Sequence, residues 1–233
     1  RDRAVQSLAS AYDAAHGGFG GAPKFPHPTD LGFLLRRGRD EGDAAALGMA
    51  LHSLRAMAAG GLYDQLGGGF FRYSTDVAWQ LPHFEKMLCD NALLLGLYAE
   101  ALTVADEPLL HRVVHDTVAW LQREMAAPDG GFCTSLAAED AQGHEGRFYV
   151  WQREPLRLAL TPNEWDVCAA HWGLLDAPAF EGRDWHLRIA RDGAALAGTL
   201  QRPAELVDEL IASARPKLLA ERAKRPAPVR DDK

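Results

Sequence analysis

Three cysteines in 233 residues are too few and too scattered to organise a fold. Cys89, Cys133 and Cys168 are odd in number, far apart and in no CxxC arrangement, which disfavours a disulfide framework or a zinc site. They suit reduced thiols in a cytoplasmic protein. Long apolar runs are missing too: none approaches the roughly 18 residues a membrane-spanning helix requires. Positive charge is in deficit. The 25 Lys and Arg face 32 Asp and Glu, for a net charge of −7, which argues against nucleic acid or an anionic membrane as partner. The chain does not begin with Met, and no secretory pattern opens it, so a cytoplasmic location is expected. Its 22 glycines form neither a phosphate loop nor a GxGxxG after a strand. His111 and His115 sit four apart without a nearby third ligand. No cofactor and no metal are expected.

What is present is helical patterning. The chain is 47% hydrophobic and 24% charged, an ordinary globular balance, and long enough to bury roughly 70–75% of its unfolded surface without disulfide or metal. Helices are expected over residues 4–15, closed by Gly17-Gly18, and from an N-cap at Thr29 to Arg37. An Ala/Leu/Met-rich helix spans 44–59, and residues 84–105 and 108–125 form a helical hairpin with Pro108 starting its second arm. "RFYVW" at 147–151 reads as a short strand. Thr161-Pro162-Asn163-Glu164 is a capping box opening a helix to about Trp172. A last helix covers 203–223, with Pro216 expected to break or kink it. Residues 226–233, charged and Pro-rich, read as a linker or frayed terminus. Gly-Gly-Phe recurs at 17–19, 68–70 and 130–132, each soon after a helix, which suggests stacked helix pairs with Phe plugging the gap.

Three blocks stand out: "GGFGGAPKFPHP", "GGLYDQLGGGFFRYSTDVAWQLPHFEKMLCDNALLL" and "EDAQGHEGRFYVW". They resemble, in the same order, blocks of a family that joins an N-terminal thioredoxin-like domain to a six-hairpin (α/α) toroid, represented by a spermatogenesis-associated thioredoxin-domain protein. The resemblance implies an all-α chain in which residues 1–225 form the first half of the toroid. The thioredoxin-like domain would precede Arg1 as a partner, and the second half would continue after the final "RDDK". Cys89 departs from the Tyr usual in that helix. Toroids of this kind are similar to N-acylglucosamine 2-epimerases and several glycoside hydrolases, with sites in the loops at one mouth.

The residues in those loops carry several chemistries. Pro82 places His83, Glu85 and Lys86 in the first turn of a helix, where the dipole favours neutral His83 as a general base. A cap for loop amides is the structural counterpart of that role. Asp64, Asp76, Glu85, Glu139, Asp140 and Glu145 crowd the same loops, and Asp64 with Glu139 or Asp140 offers the carboxylate pair of a glycosidase. Tyr73, Trp79 and Tyr149 present aromatic faces for sugar C–H surfaces, with Gln65, Arg72 and Lys24 as polar partners. Phe19, Phe70 and Phe132 read as core plugs. Three functions stay open: acid/base chemistry on a sugar with His83 as base and Asp64, Arg72, Tyr73 and Glu85 orienting it; glycoside hydrolysis through Asp64 and Asp140; or a non-catalytic module binding a saccharide or the thioredoxin-like domain.

Overall fold

The computed structural model describes residues 2–231. Helices α1 (Asp2–Ala11), α2 (Pro28–Glu41) and α3 (Ala44–Ala59) come first. Gly42 ends α2 in the left-handed conformation, φ 74°, and Asp43 starts α3 by accepting from the Ala46 amide at 3.0 Å. Then follow α4 (Leu88–Ala101), α5 (Pro108–Trp120) with a π-helical turn (Leu121–Met125), α6 (Arg153–Leu158), α7 (Pro162–His171), α8 (Gly193–Leu200) and α9 (Ala204–Arg222). The capping box at Thr161 is formed as the sequence predicts. Helices α2 and α3, α4 and α5, and α7 and α9 pack as pairs. One apolar core joins α2 to α5, and a second joins α7 to α9 with Leu66 and Trp151.

Two small antiparallel sheets interrupt the helices. Strands β1 (Tyr73–Ser74) and β2 (Pro82–His83) pair with each other, Tyr73 opposite His83. Strands β3 (Lys86–Met87), β4 (Ser135–Asp140) and β5 (Pro228–Asp231) form the other sheet in the order β3-β4-β5.

This layout corrects several expectations. Thr29, read as an N-cap, lies inside α2, which follows His27 and runs on past Arg37 to Glu41. The helix expected from residue 84 begins at Leu88, because residues 82–87 are claimed by β2 and β3 and Glu85 O accepts from the Arg72 amide at 2.9 Å. His83 therefore sits on a strand, away from the positive end of a helix. Residues 147–151 are not a strand: residues 146–149 turn, and Trp151 makes a single bridge to Trp185. Their aromatic character reflects burial, Tyr149 and Trp151 each being 2% exposed. Residues 228–231, part of the segment read as linker, are β5; residues 232–233 lie outside the described residues. Of the break or kink expected at Pro216, the break does not occur: Pro216 lies inside α9 without ending it. Burial of Ile211, Ala214 and Leu218 around it outweighs one lost backbone hydrogen bond.

The Gly-Gly-Phe repeat has a shared hydrogen-bond plan. Each Phe bridges back to a residue that follows the preceding helical segment: Phe19 to Tyr12 and Phe132 to Ala126 directly after it, Phe70 to Tyr63 four residues beyond α3. Gly68 shows why glycine is needed, with φ 79° and a Cβ position that would overlap the Asp116 carbonyl of α5. Phe19 and Phe70 are buried plugs, but Phe132 is 52% exposed.

Candidate functional site

A cleft of about 930 Å³ runs beside the loops at 143–152 and 180–184. Glu145, Arg147, Gln152, Phe180, Asp184 and Arg225 are among its lining residues. At its edge, Glu145 Oε1 accepts from His83 Nδ1 at 2.8 Å. Register brings them there, since β2 pairs with β1 and the Tyr73 ring stacks on His83 at 5.0 Å and 16°. With Nδ1 donating to a carboxylate, Nε2 is left as the basic nitrogen. Beside the dyad, Arg72 and Glu85 form an ion pair at 2.9 Å. Exposed Glu139 bridges to Glu145 through the backbone. His83, Tyr73, Arg72, Glu85 and Glu139 thus gather in one neighbourhood, without Asp64, which the sequence groups with the first four.

Other candidates lie underneath, in the core rather than at a mouth. Asp64 is 3% exposed and takes Lys86 Nζ on one oxygen and Arg222 Nη1 on the other, both at 2.8 Å. The Leu66 and Gly67 amides add hydrogen bonds at 3.1 and 3.0 Å. Burial opposes the charge of Asp64, but Arg222 and Lys86 outweigh it and hold its pKa well below the usual carboxylate range. Aromatic rings enclose the trio: Lys86 Nζ is 4.8 Å from Phe71, 5.1 Å from Trp120 and 5.0 Å from Tyr149. Tyr149 is buried, its hydroxyl has no hydrogen-bond partner, and burial raises its pKa well above the ordinary value. Gln65 donates to the Ala58 and Gly60 carbonyls, both at 2.9 Å, and so ties α3 to the following loop.

Lys24, expected on an exposed loop, has no exposed surface. It pairs with Asp13 at 2.7 Å and lies 5.1 Å from the ring of Trp79, itself buried with φ 60° and donating Nε1–H to the His16 carbonyl. Asp76 is occupied by the amides of Gln80 and Leu81. Asp140 caps its own loop, accepting from the Gln142 and His144 amides at 2.9 and 3.0 Å. Burial resists its charge, yet those amide bonds bring its pKa down.

Sequence reasoning missed Phe180, Asp184 and Arg225. Asp184 is 7% exposed with Oδ1 unpartnered. Arg225 lies 3.9 Å over the Trp151 ring and donates to the Phe148 and Val150 carbonyls. The "FEGRDWH" stretch at 180–186 carries no motif or periodicity that points to a site. Arg225 lay in the segment read as the end of a helix and the start of a linker. Among the described residues, no group of three or more His, Cys, Asp or Glu could hold a metal. None of their helices is long and apolar enough to cross a membrane.

No protein-family model matches the chain. It is 34% identical to human spermatogenesis-associated protein 20, the match covering all of this chain and 33% of that protein. Along its whole length the chain is homologous to spermatogenesis-associated protein 20. The mouse protein of that name is 40% identical over 64% of this chain and 20% of its own length. The chain thus spans a third or less of the curated relatives it matches. Among solved structures, cellobiose 2-epimerase from Spirochaeta thermophila superposes on 57% of this chain and 36% of its own, with a TM-score of 0.51 and 21% identity. That likeness establishes the fold class. The chain is mostly helical and similar to part of an (α/α) six-hairpin toroid.

Proposed function

We propose that the cleft binds a sugar and that His83 moves a proton at the carbon beside its open-chain carbonyl. The observation that carries this reading is the His83–Glu145 hydrogen bond at the edge of the cleft. A carboxylate on Nδ1 orients the imidazole and fixes its tautomer, so Nε2 can take a proton and return it. Stacking by Tyr73 limits rotation of the ring. Arg147, Gln152, Asp184 and Arg225 supply donors and acceptors for hydroxyl groups, and Phe180 an apolar surface. The cleft volume is at the upper end of small-molecule sites and leaves room for more than one sugar ring. Fold likeness to an epimerase is an analogy that agrees with this chemistry without establishing it. A thioredoxin-like domain as partner in the longer protein is part of the same proposal. Hydrolysis through Asp64 and Asp140 draws less support, since Asp64 is enclosed and bound on both oxygens.

The test uses the full-length protein with reducing sugars and their N-acetyl forms in heavy water, following deuterium at carbon 2 by NMR. Incorporation is expected, falling about 10²–10⁴-fold in His83→Ala. Incorporation that survives His83→Ala would remove His83 as the base, and none with any sugar would defeat the reading.

A further inference from the structure

Away from this cleft, a second cavity of about 440 Å³ opens where the start of α5, the end of α7 and the middle of α9 meet. Its walls are largely aliphatic, with Pro108, Leu109, Ile189 and Ile211 among them. Three polar side chains lining it keep unused hydrogen-bonding or charge-pairing capacity. Arg112 donates from Nη2 to Gln65 Oε1, a neutral acceptor, at 3.0 Å, and its Nε is buried with no hydrogen-bond partner. No carboxylate among the described residues forms an ion pair with it. The nearby Arg215 is already engaged by Asp116. Burial, reinforced by the charge of Arg215, lowers the pKa of Arg112.

His171, 5% exposed, lies 2.7 Å from the Arg191 carbonyl through Nδ1. A carbonyl only accepts, so Nδ1 carries the proton and Nε2 a lone pair. That Nε2 is buried and unpartnered. At the rim, Asp192 is committed to capping α8 through the Ala195 amide. Asp208 is exposed, and its carboxylate is, among the described residues, in no hydrogen bond or ion pair.

One uncompensated cation, two unused acceptors and aliphatic walls call for a small ligand bearing both charges. We propose that this cavity binds an α-amino acid with an apolar side chain. Its carboxylate would rest on Arg112, its ammonium on Asp208 and His171 Nε2, and its side chain against Leu109, Ile189 and Ile211. A simple carboxylate would leave Asp208 and His171 unused, and a polyol would leave the aliphatic walls unmatched.

Calorimetric titration tests this with L-leucine, leucinamide, which lacks the carboxylate, and 4-methylpentanoate, which lacks the ammonium. Leucine should bind at least about tenfold tighter than either, since each loses a charge-assisted contact. Arg112→Met should abolish leucine binding. Asp208→Asn, an exposed change that leaves the core intact, should weaken leucine while leaving 4-methylpentanoate unchanged. It serves as the second variant should Arg112→Met fail to fold. Equal affinity for the three compounds, an unchanged leucine affinity in Asp208→Asn, or no binding of leucine, methionine or phenylalanine by the wild type would each overturn the proposal.

Discussion

Replacing Asp64 by Asn tests whether the enclosed ion trio holds the centre of this fold together. The exchange nearly preserves volume, and the amide oxygen can still accept from the Leu66 and Gly67 amides. What it removes is the carboxylate shared by Lys86, 0% exposed, and Arg222, 1% exposed. Two buried cations would then face each other without their anion. Breaking a buried pair by removing one partner costs about 3–5 kcal/mol, because the remaining charge is left unsolvated. In a domain of this size each kcal/mol moves the midpoint by roughly 2–4 °C, so Tm should fall by about 6–20 °C. Urea denaturation followed by tryptophan fluorescence gives the free energy, and calorimetry the midpoint. A matched control is Glu107→Gln, which breaks the partly exposed pair with Arg55 and should cost no more than about 1 kcal/mol. The pH dependence gives an independent check. Because the folded pKa of Asp64 is depressed, its contribution is present above the unfolded value of 3.8 and is lost as pH falls toward the folded value. Asp64→Asn should therefore remove part of the acid sensitivity below about pH 4. A loss under about 1 kcal/mol with an unchanged acid limb would refute the reasoning.

Tyr149→Phe removes a buried hydroxyl that has no partner, so stability should stay within about 1 kcal/mol of wild type or rise, as the same denaturation curves would show. His171 and His186 are pushed down to about 4 by burial, the first beside Arg112, Arg215 and Asp192, the second beside Asp64, Lys86 and Arg222. The unfolded chain binds protons there between about pH 6.5 and 4 while the folded one does not. Stability should hence decrease as pH is lowered from about 6.5 to 4, by up to about 1.4 kcal/mol per unit for each, and His171→Gln should flatten the slope.

Much of the helical framework could be read from local signals, because caps act locally: Thr161 with Glu164, and Pro108 at a helix start. The nearness of Arg72, Tyr73, His83 and Glu85 could also be read, since they share one loop, whereas the contact of His83 with Glu145, 62 positions on, could not. The sequence could not give long-range pairing. Residues 82–87 carry helix-compatible side chains, yet β1 and β4, the latter some 50 residues on, draw their backbone into sheets. The burial of Lys24, Asp64 and Lys86 was likewise illegible. A charged side chain on a glycine-rich loop reads as solvated until its partner arrives from a distance, as Arg222 does for Asp64, 158 positions away. Glu145 and Asp184 differ in the same way: one stood in a recognisable block, the other in a stretch with no periodicity.

The enclosure of Lys24 and Lys86, two of the chain's five lysines, has a use in chemical labelling. An amine-directed reagent needs an amine in contact with water, and neither Nζ meets that condition while Asp13 and Asp64 hold them in the core. Acylation at either position therefore counts openings of the native chain, site by site. Lys24 reports release of the Asp13 loop from Trp79, and Lys86 reports release of the aromatic box.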